Sequence, residues 1–149
     1  MRLSTKGRYG VRALVELALA EGEGPVTLRV VAERQGLSEH YLEQLAGRLR
    51  RAGLVHSVRG AQGGYVLGRP AREITVGDIL RTLEGPLALT DCSRDDGTPV
   101  KHCGRADGCS ARRVWSRVRA GIEKVVDSIT LADLCADVRT GGEGDEMLV

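Results

Sequence analysis

The sequence predicts a mainly helical fold: a winged helix-turn-helix domain with a two-stranded wing, followed by a long helix suited to dimerisation. Three observations lead to this prediction. Leu, Val, Ala and Ile recur at helical spacing while aromatic residues make up 3% of the chain, so close-packed helices must supply the core. The segment Thr27–Gly53 is typical of a helix, a short turn and a second helix. Two β-prone runs with a Gly-rich turn follow it directly.

The first three helices are each marked by a residue that can cap them. Ser4 is placed to begin the first helix, and apolar residues continue at helical spacing up to "EGEGP". Thr27 can cap the second helix, which ends at "QGLS", where Gly36 suits the left-handed residue of a tight turn. Ser38 can cap the third helix, which ends at Gly53.

The wing is predicted from the stretch "LVHSVRGAQGGYVLGRP". Leu54–Val58 and Tyr65–Leu67 are β-prone runs that are joined by a Gly-rich turn and ended by Pro70. Thr75–Leu83 is predicted to form a short fourth helix. We therefore place the winged helix-turn-helix domain at residues 1–84.

A cysteine-rich loop, residues 85–110, precedes the long helix. Along that helix apolar residues recur at spacings of 3, 4, 3 and 4 and form one seam: Trp115, Val118, Ile122, Val125 and Ile129. Such a seam suits a second copy of the helix, so we predict a homodimer. Burial of the seam against the chain's own domain is the alternative. We place the dimerisation helix and a C-terminal helix at residues 111–139, and a disordered tail at residues 140–149.

Composition and local motifs limit the classes of function. With 149 residues, 42% hydrophobic and 28% charged, the chain suits one small domain with an appendage. The start "MRLSTKGRYG" lacks the apolar stretch of a signal peptide, and "VRALVELALA" is too short and too charged to span a bilayer. We expect a cytoplasmic protein with no membrane partner. No Ser, His and Asp set and no phosphate loop appears, so we do not expect an enzyme.

The charge distribution favours double-stranded DNA as a partner. Residues 1–73 hold 12 Lys and Arg against 7 Asp and Glu, whereas residues 74–149 hold 10 against 13. A basic front half is typical of nucleic-acid binders, although an Arg-rich solvated surface is the alternative. The second helix of a helix-turn-helix enters the major groove. The residues that we predict to contact DNA are Lys6, Ser38, His40, Tyr41, Glu43, Gln44 and Arg59.

Three of these residues have a specific expected chemistry. Gln44 can bond adenine through two hydrogen bonds, and Glu43 can accept from the amino group of cytosine. A carboxylate near phosphates also disfavours bases without a donor, so Glu43 would read sequence by rejection as well. Its alternative role is a surface carboxylate paired with a nearby Arg. Arg59, at the wing tip, suits a narrow minor groove.

The cysteine loop carries the second chemical feature of the sequence. Cys92, Cys103 and Cys109 all lie in "DCSRDDGTPVKHCGRADGC". In a reducing compartment, clustered cysteines bind metals or act in redox chemistry more often than they form structural disulfides. Three thiols are one ligand short of a zinc site or an all-cysteine iron-sulfur cluster. His102 is a candidate fourth ligand, for iron or for zinc, and a metal-free redox switch is a further alternative. Cys135 is expected to be a buried small side chain.

A family resemblance combines these features. The blocks "MRLSTKGRYGVRAL", "VAERQGLSEHYLEQL", "RLRRAGLVHSVRGAQGGYVLGR" and "ITVGDIL", followed by the cysteine loop and a long helix, resemble the IscR-type family of winged-helix iron-sulfur transcription regulators. This family includes the nitric oxide sensor NsrR and the cysteine metabolism regulator CymR. The likeness covers about residues 1 to 135, and "YLEQL" and "VRGAQGGYVLG" make it greatest to IscR.

The resemblance implies a homodimer in which Cys92, Cys103 and Cys109 hold a cluster, with 2Fe-2S as the expected type. It places the fourth ligand of IscR at Arg112, which cannot ligate iron, and that of NsrR at Arg8. The fourth ligand therefore stays open between His102, an exogenous thiol or water, and a loop carboxylate such as Asp95, Asp96 or Asp107. The implied function is control of iron-sulfur cluster biogenesis genes, with cluster occupancy altering operator choice through Glu43. The alternatives are a cluster-free cysteine redox regulator and a small iron-sulfur carrier or electron-transfer protein.

Overall fold

The computed structural model of the chain describes residues 3–97, 103–104 and 108–141. In this part the fold is mainly helical with one two-stranded antiparallel sheet, which confirms the predicted fold class. The helices are α1 Thr5–Leu19, α2 Leu28–Gln35, α3 Glu39–Arg51, α4 Val76–Glu84, α5 Ser110–Ser128 and α6 Leu131–Arg139. The strands are β1 Val55–Val58 and β2 Gly64–Leu67. Single 3-10 turns lie at Ala71–Glu73 and Asp91–Ser93.

Side-chain caps begin the first three helices, as the sequence indicated. The Ser4 hydroxyl accepts from the backbone N–H of Lys6 at 3.1 Å. Thr27 Oγ1 begins α2 and Ser38 Oγ begins α3, each by accepting a backbone N–H of the first turn. Between α2 and α3, Gly36 takes the left-handed conformation, with φ of 63°. This conformation costs glycine little, and it lets α3 turn away from α2.

The wing is fixed to the body of the domain at its base. β1 and β2 pair with Val55 opposite Leu67 and Val58 opposite Gly64. Tyr65 of β2 exchanges two backbone hydrogen bonds with Val26, at 2.8 and 2.9 Å. A Cβ on Gly64, where φ is 153°, would lie 2.6 Å from the Val26 backbone. Glycine at this position therefore allows the wing to approach the segment before α2.

The core lies between α1, α2, α3, α4 and α6 and extends to the start of β1. Its largest fully buried side chains are Leu14, Leu42, Leu54, Ile74, Ile79, Leu131, Val31 and Val55. Cys135 is buried in the same cluster, as predicted, and burial raises the pKa of its thiol. The core is aliphatic because the sequence has almost no aromatic residues to supply it.

Helix α5 lies outside this core, and none of its 19 residues is buried. Its C-terminal end is fixed to α4, because Arg81 donates to both carboxylate oxygens of Asp127 at 2.6 and 2.8 Å. This hydrogen-bonded pair holds the pKa of Asp127 below its ordinary value. The chain then returns to the core, where Leu131 N donates to Ile74 O at 2.9 Å, and α6 packs against α1.

The apolar seam of α5 faces away from the chain's own core. Trp115, Val118 and Val125 are 37%, 38% and 58% exposed, respectively. Ile122 is half-buried, and Ile129, which we expected to end the seam, is an extended residue just after α5. In the described part of the chain the seam is thus left uncovered. The described residues of the chain's own domain therefore bury no residue of the seam fully, which favours a second copy over the alternative.

Two expectations concern the membrane and the tail. Within the described ranges, no helix has the length and apolar character needed to cross a membrane. The predicted disordered tail, residues 140–149, lies outside the described residues from position 142 onward.

Candidate DNA interface and cysteine site

Helix α3 presents one apolar face to the core and one polar face to solvent. Leu42, Leu45, Ala46 and Leu49 are buried. His40, Glu43 and Gln44 are all exposed and share the opposite face. Since the second helix of a helix-turn-helix places its early outward side chains in the major groove, these three are positioned to meet base edges.

The three outward side chains also contact one another. Nδ1 of His40 lies 3.6 Å from Oε2 of Glu43. Nε2 of His40 lies 3.3 Å from Nε2 of Gln44. The alternative role for Glu43, pairing with an arginine, is not seen among the described residues, where the carboxylate pairs with His40 instead. The sequence placed these residues on one face but did not indicate that the histidine stands between the other two.

Ser38, Tyr41 and Lys6 occupy the edge of this surface. The Ser38 hydroxyl caps α3 by accepting from the backbone N–H of Tyr41. Tyr41 donates its hydroxyl to Thr5 Oγ1 at 3.2 Å, and its ring meets Tyr9 edge to face at a centroid distance of 6.1 Å. Lys6, in the first turn of α1, is exposed. The structure thus gives Ser38 and Tyr41 roles within the domain, and it brings the N-terminal turn of α1 next to the start of α3.

The wing tip carries Arg59 in the turn between β1 and β2. Arg59 is exposed, and in the described part of the chain it makes no ion pair. Gly63 N donates to Gly60 O at 3.0 Å and closes the turn. A Cβ on Gly63 would collide with the backbone oxygen of Val58. The turn is therefore tight, and it projects the Arg59 guanidinium from the domain.

A polar network that the sequence analysis did not single out joins α1 to α2. The buried Glu16 accepts from Arg34 at 3.0 Å and from Gln35 at 2.6 Å. Arg12 donates from Nε to the Gln35 side-chain oxygen at 2.6 Å. The signal that could have revealed it is a glutamate inside the apolar run of α1. The network fixes the first helix of the helix-turn-helix against α1, on which α3 also packs.

The cysteine segment lies between α4 and α5. Cys92 stands in a 3-10 turn, Cys109 is the residue before α5, and Cys103 is exposed. All three thiols are free. Arg112 donates from Nε to the backbone oxygen of Cys92 at 3.0 Å. Arg119 reaches Asp95 at 3.4 Å. The face of α5 that points toward its own chain thus holds the segment around Cys92 in place.

Whether these residues suit an iron-sulfur cluster depends on ligand type and on position. The ligand type fits, since three free and accessible thiols are the ligands such clusters use. Among the described residues, however, no three His, Cys, Asp or Glu side chains converge on one point. His102, the candidate fourth ligand, lies outside the described residues. Arg112, where the family resemblance placed a fourth ligand, donates instead to the backbone oxygen of Cys92.

The C-terminal turn of α4 links the cysteine segment to the DNA-facing helices. Glu84 Oε1 accepts from the backbone N–H groups of Ser4 at 3.1 Å and Gly7 at 2.9 Å, and from the Ser4 hydroxyl. Arg48 of α3 donates to the backbone oxygen of Leu83 at 3.2 Å. The cysteine loop begins directly after these two residues. A movement at the start of the loop would therefore act on both α1 and α3.

Comparisons with known proteins agree with this arrangement. The Rrf2 family model, described as "Iron-dependent Transcriptional regulator", matches residues 3–137. The transcriptional regulator CymR of Bacillus subtilis strain 168 is 48% identical over 136 residues, covering 91% of each chain. IscR of Serratia proteamaculans strain 568 is 44% identical over 134 residues, covering 90% of this chain and 79% of IscR.

Solved structures of CymR and IscR proteins are also similar to this chain. The structure of CymR, the global cysteine regulator of B. subtilis, superposes with a TM-score of 0.74 at 46% identity, covering 91% of this chain and 97% of CymR. The structure of T. potens IscR superposes with a TM-score of 0.72 at 52% identity, covering 93% of this chain and 88% of IscR. The identities to IscR and CymR are similar, so they do not support the greater likeness to IscR that the motifs suggested. Because these relatives are transcriptional regulators, the expectation that the chain is not an enzyme is confirmed, and the chain belongs to the Rrf2 family of transcriptional regulators.

Proposed function

We propose that this Rrf2-family regulator binds an iron-sulfur cluster, of the 2Fe-2S type, through Cys92, Cys103 and Cys109. Cluster supply would then set its choice of operator at iron-sulfur cluster biogenesis genes. The observation that carries the proposal is the position of three free thiols on the one segment between α4 and α5. A bound metal centre can order such a segment, since ligation supplies free energy that a polar loop cannot gain by packing.

The charges around Cys109 support an anionic ligand set. The first turns of α5 carry Arg112, Arg113 and Arg117 and no acidic residue. These arginines and Cys109 line an open cavity of about 710 Å³. Arginines at a helix N-terminus are unfavourable by themselves, because the helix dipole is already positive there. Three thiolates and a cluster would supply the compensating negative charge.

The link through α4 supports communication with DNA. The loop begins at Gly85, immediately after Glu84, which caps α1, and two residues after Leu83, which accepts from Arg48 of α3. In the proposed mechanism, ligation of the loop cysteines would change the position of this last turn of α4. That change would alter the placement of α3 in the major groove.

The exposed seam of α5 supports a homodimer. A 19-residue helix with no buried residue, and with Trp115, Val118 and Val125 exposed, gains stability from a second copy that covers this stripe. Two winged domains in one dimer would bind two half-sites of an operator.

A metal-free cysteine switch is the second candidate. It is favoured by the similarity to CymR, a global cysteine regulator. Staphylococcus aureus CymR, 43% identical, has been solved in an oxidised form. In this reading a cellular oxidant would take two electrons and two protons from a pair of these thiols as their disulfide forms, and a thiol reductant would reverse the step without iron.

The test is anaerobic purification followed by iron and sulfide counts and a visible absorption spectrum. The proposal expects iron, sulfide and colour in the natural protein, their loss in Cys92→Ala, and their retention in Cys135→Ala, which removes the buried fourth thiol. Cys92→Ala should also lose the operator class that needs the cluster and keep the other class. A colourless protein whose operator binding follows thiol oxidation would establish the second candidate instead.

The same preparation separates a regulator from an iron-sulfur carrier or electron-transfer protein. Binding to an operator duplex should weaken steeply with salt, because each neutralised phosphate adds about one unit to the slope of log affinity against log salt. A carrier should bind no duplex in this salt-dependent way.

A further inference from the structure

Arg119 lies on the face of α5 that points toward its own chain, where it contacts the cysteine segment. Its side chain is 17% exposed, and its Nε is buried without a hydrogen-bond partner among the described residues. Both Nη atoms lie 3.4 Å from Oδ2 of Asp95, three residues after Cys92. Nη1 also lies 3.4 Å from Oε1 of Glu123, one turn further along α5. The guanidinium is thus held by one carboxylate of the segment and one of the helix.

A second arginine of the same helix holds the segment at Cys92 itself. Arg112 donates from Nε to the backbone oxygen of Cys92 at 3.0 Å. Arg112 and Arg119 are seven residues apart, about two turns, which puts them on one side of α5. Cys109 directly precedes this helix. The contacts between α5 and the segment therefore fix Cys92 relative to the helix that begins after Cys109.

Contacts within the segment connect Asp95 to Cys92. Arg94 pairs with Asp91 at 3.7 Å and with Asp96 at 2.6 Å. The first pair spans Cys92, and the second pair spans Asp95. The contact of Asp95 with α5 therefore restrains Cys92 as well.

We propose that Arg119 is a positioning residue that clamps the cysteine segment to α5 and so keeps Cys92 in a fixed position relative to Cys109. This inference rests on the proposed function only in that these two thiols act together. It applies to a metal site and to a thiol switch alike, because both need two sulfur atoms brought to one place. Thiols that are held in place beforehand lower the entropic cost of either step.

The experiment measures how fast iodoacetamide alkylates Cys92 in the reduced, metal-free protein. Trypsin cleaves after Arg94 and Arg105, so Cys92, Cys103 and Cys109 fall on separate peptides. Mass spectrometry then reads the alkylation rate of each thiol in one sample. Circular dichroism of each variant shows whether it is folded.

Arg119→Met removes the charge and keeps an unbranched side chain. It should raise the alkylation rate of Cys92 by about fivefold, since release from partly exposed ion pairs changes the open population of a segment by about that factor. Loss of a nearby positive charge would by itself slow the reaction, because the thiolate is the reactive form. A faster reaction therefore reports release of the segment. Arg119→Lys, which keeps the charge, should restore most of the protection.

Two further variants test whether Asp95 is the partner through which Arg119 acts. Asp95→Asn should raise the Cys92 rate as much as Arg119→Met does, and the double variant should raise it no further. Full addition of the two effects would mean that they act independently and would contradict the clamp. Asp95 is 79% exposed, so Asp95→Asn leaves the core intact. An unchanged Cys92 rate in Asp95→Asn overturns the inference even where Arg119→Met unfolds.

Lys124→Met is the matched control, because it removes a cation from an exposed position about 140° around α5 from Arg119. It should leave the Cys92 rate unchanged, and no variant should change the rate of the exposed Cys103. The inference is overturned by an unchanged Cys92 rate in Arg119→Met or by an equal rise in Lys124→Met. A rise of the same size at Cys103 also overturns it, because such a rise reports general loosening.

Iron and sulfide counts on the natural protein test the proposed function separately. A protein that holds iron and sulfide but shows no effect of Arg119→Met removes this inference and leaves the proposed function standing. A colourless protein with the expected effect removes the cluster and leaves the clamp. A colourless protein without the effect removes both.

Discussion

Val125→Asp is the sharpest perturbation of the proposed dimer. Val125 is 58% exposed in the single chain, so an aspartate there leaves the chain's own core intact. In a two-fold dimer the substitution occurs twice across one interface. Full burial of a valine is worth about 1.5–3 kcal/mol, and roughly half of that is still to be gained at each Val125.

The expected magnitude follows from two contributions. Loss of the valine contacts on both chains should cost about 1.5–3 kcal/mol. Removing two carboxylates from water adds several kcal/mol per ion when no partner compensates them. A total of at least about 4 kcal/mol weakens dimerisation by about 1,000-fold, since 1.4 kcal/mol is a factor of ten.

Sedimentation velocity and an operator gel shift measure the effect. Val125→Asp should sediment as a monomer and bind the operator much more weakly, with the circular dichroism of a folded protein. Ala120→Asp is the matched control: it makes the same change of charge at an exposed position about 140° around α5 from Val125. It should stay dimeric. A Val125→Asp protein that sediments like the natural dimer would refute the proposed interface.

Four further predictions concern DNA binding and stability. Arg59→Ala should cost about 1–3 kcal/mol of operator affinity without changing the melting temperature, and unchanged binding would mean that the wing tip does not enter a groove. Glu43→Ala should let the cluster-free protein bind both operator classes in a gel shift. Glu84→Ala should lower the free energy of unfolding in urea by about 2 kcal/mol, because α1 loses its acceptor for two backbone N–H groups. The pairing with Arg81 lowers the pKa of Asp127 in the folded chain below its ordinary value of 3.8. The stabilisation from this ion pair is therefore complete when the pH is above the pKa of Asp127 in the unfolded chain. It is lost as the pH falls through the lowered pKa of the folded chain. Asp127→Asn should therefore cost about 0.5–1 kcal/mol at pH 7, and urea titrations of the two proteins should converge once the pH has fallen below the lowered pKa of Asp127.

Local chemistry made much of the fold predictable from the sequence. Ser4, Thr27 and Ser38 begin their helices where the sequence placed them, because a capping hydroxyl needs only the backbone of the next turn. The left-handed turn at Gly36 and the tight wing turn are also local. The exposed polar face of α3 follows from helical periodicity alone.

The candidate site was only partly predictable. The sequence identified the three loop cysteines and the outward residues of α3. It did not predict that Arg112 would bind the Cys92 backbone, nor that His40 would lie between Glu43 and Gln44. The order of residues along a helix defines a shared face, but rotamers decide which side chains on that face meet.

The sequence by itself determined where the first three helices begin, the wing and most of the amphipathic seam, since each depends on residues within a few positions of one another. Only the tertiary structure decided that Glu84 caps a helix 77 to 80 positions earlier in the chain. It also decided that the seam of α5 remains exposed while α6 returns to the core. These features depend on how helices pack, and packing brings together residues whose separation along the chain carries no periodic signal.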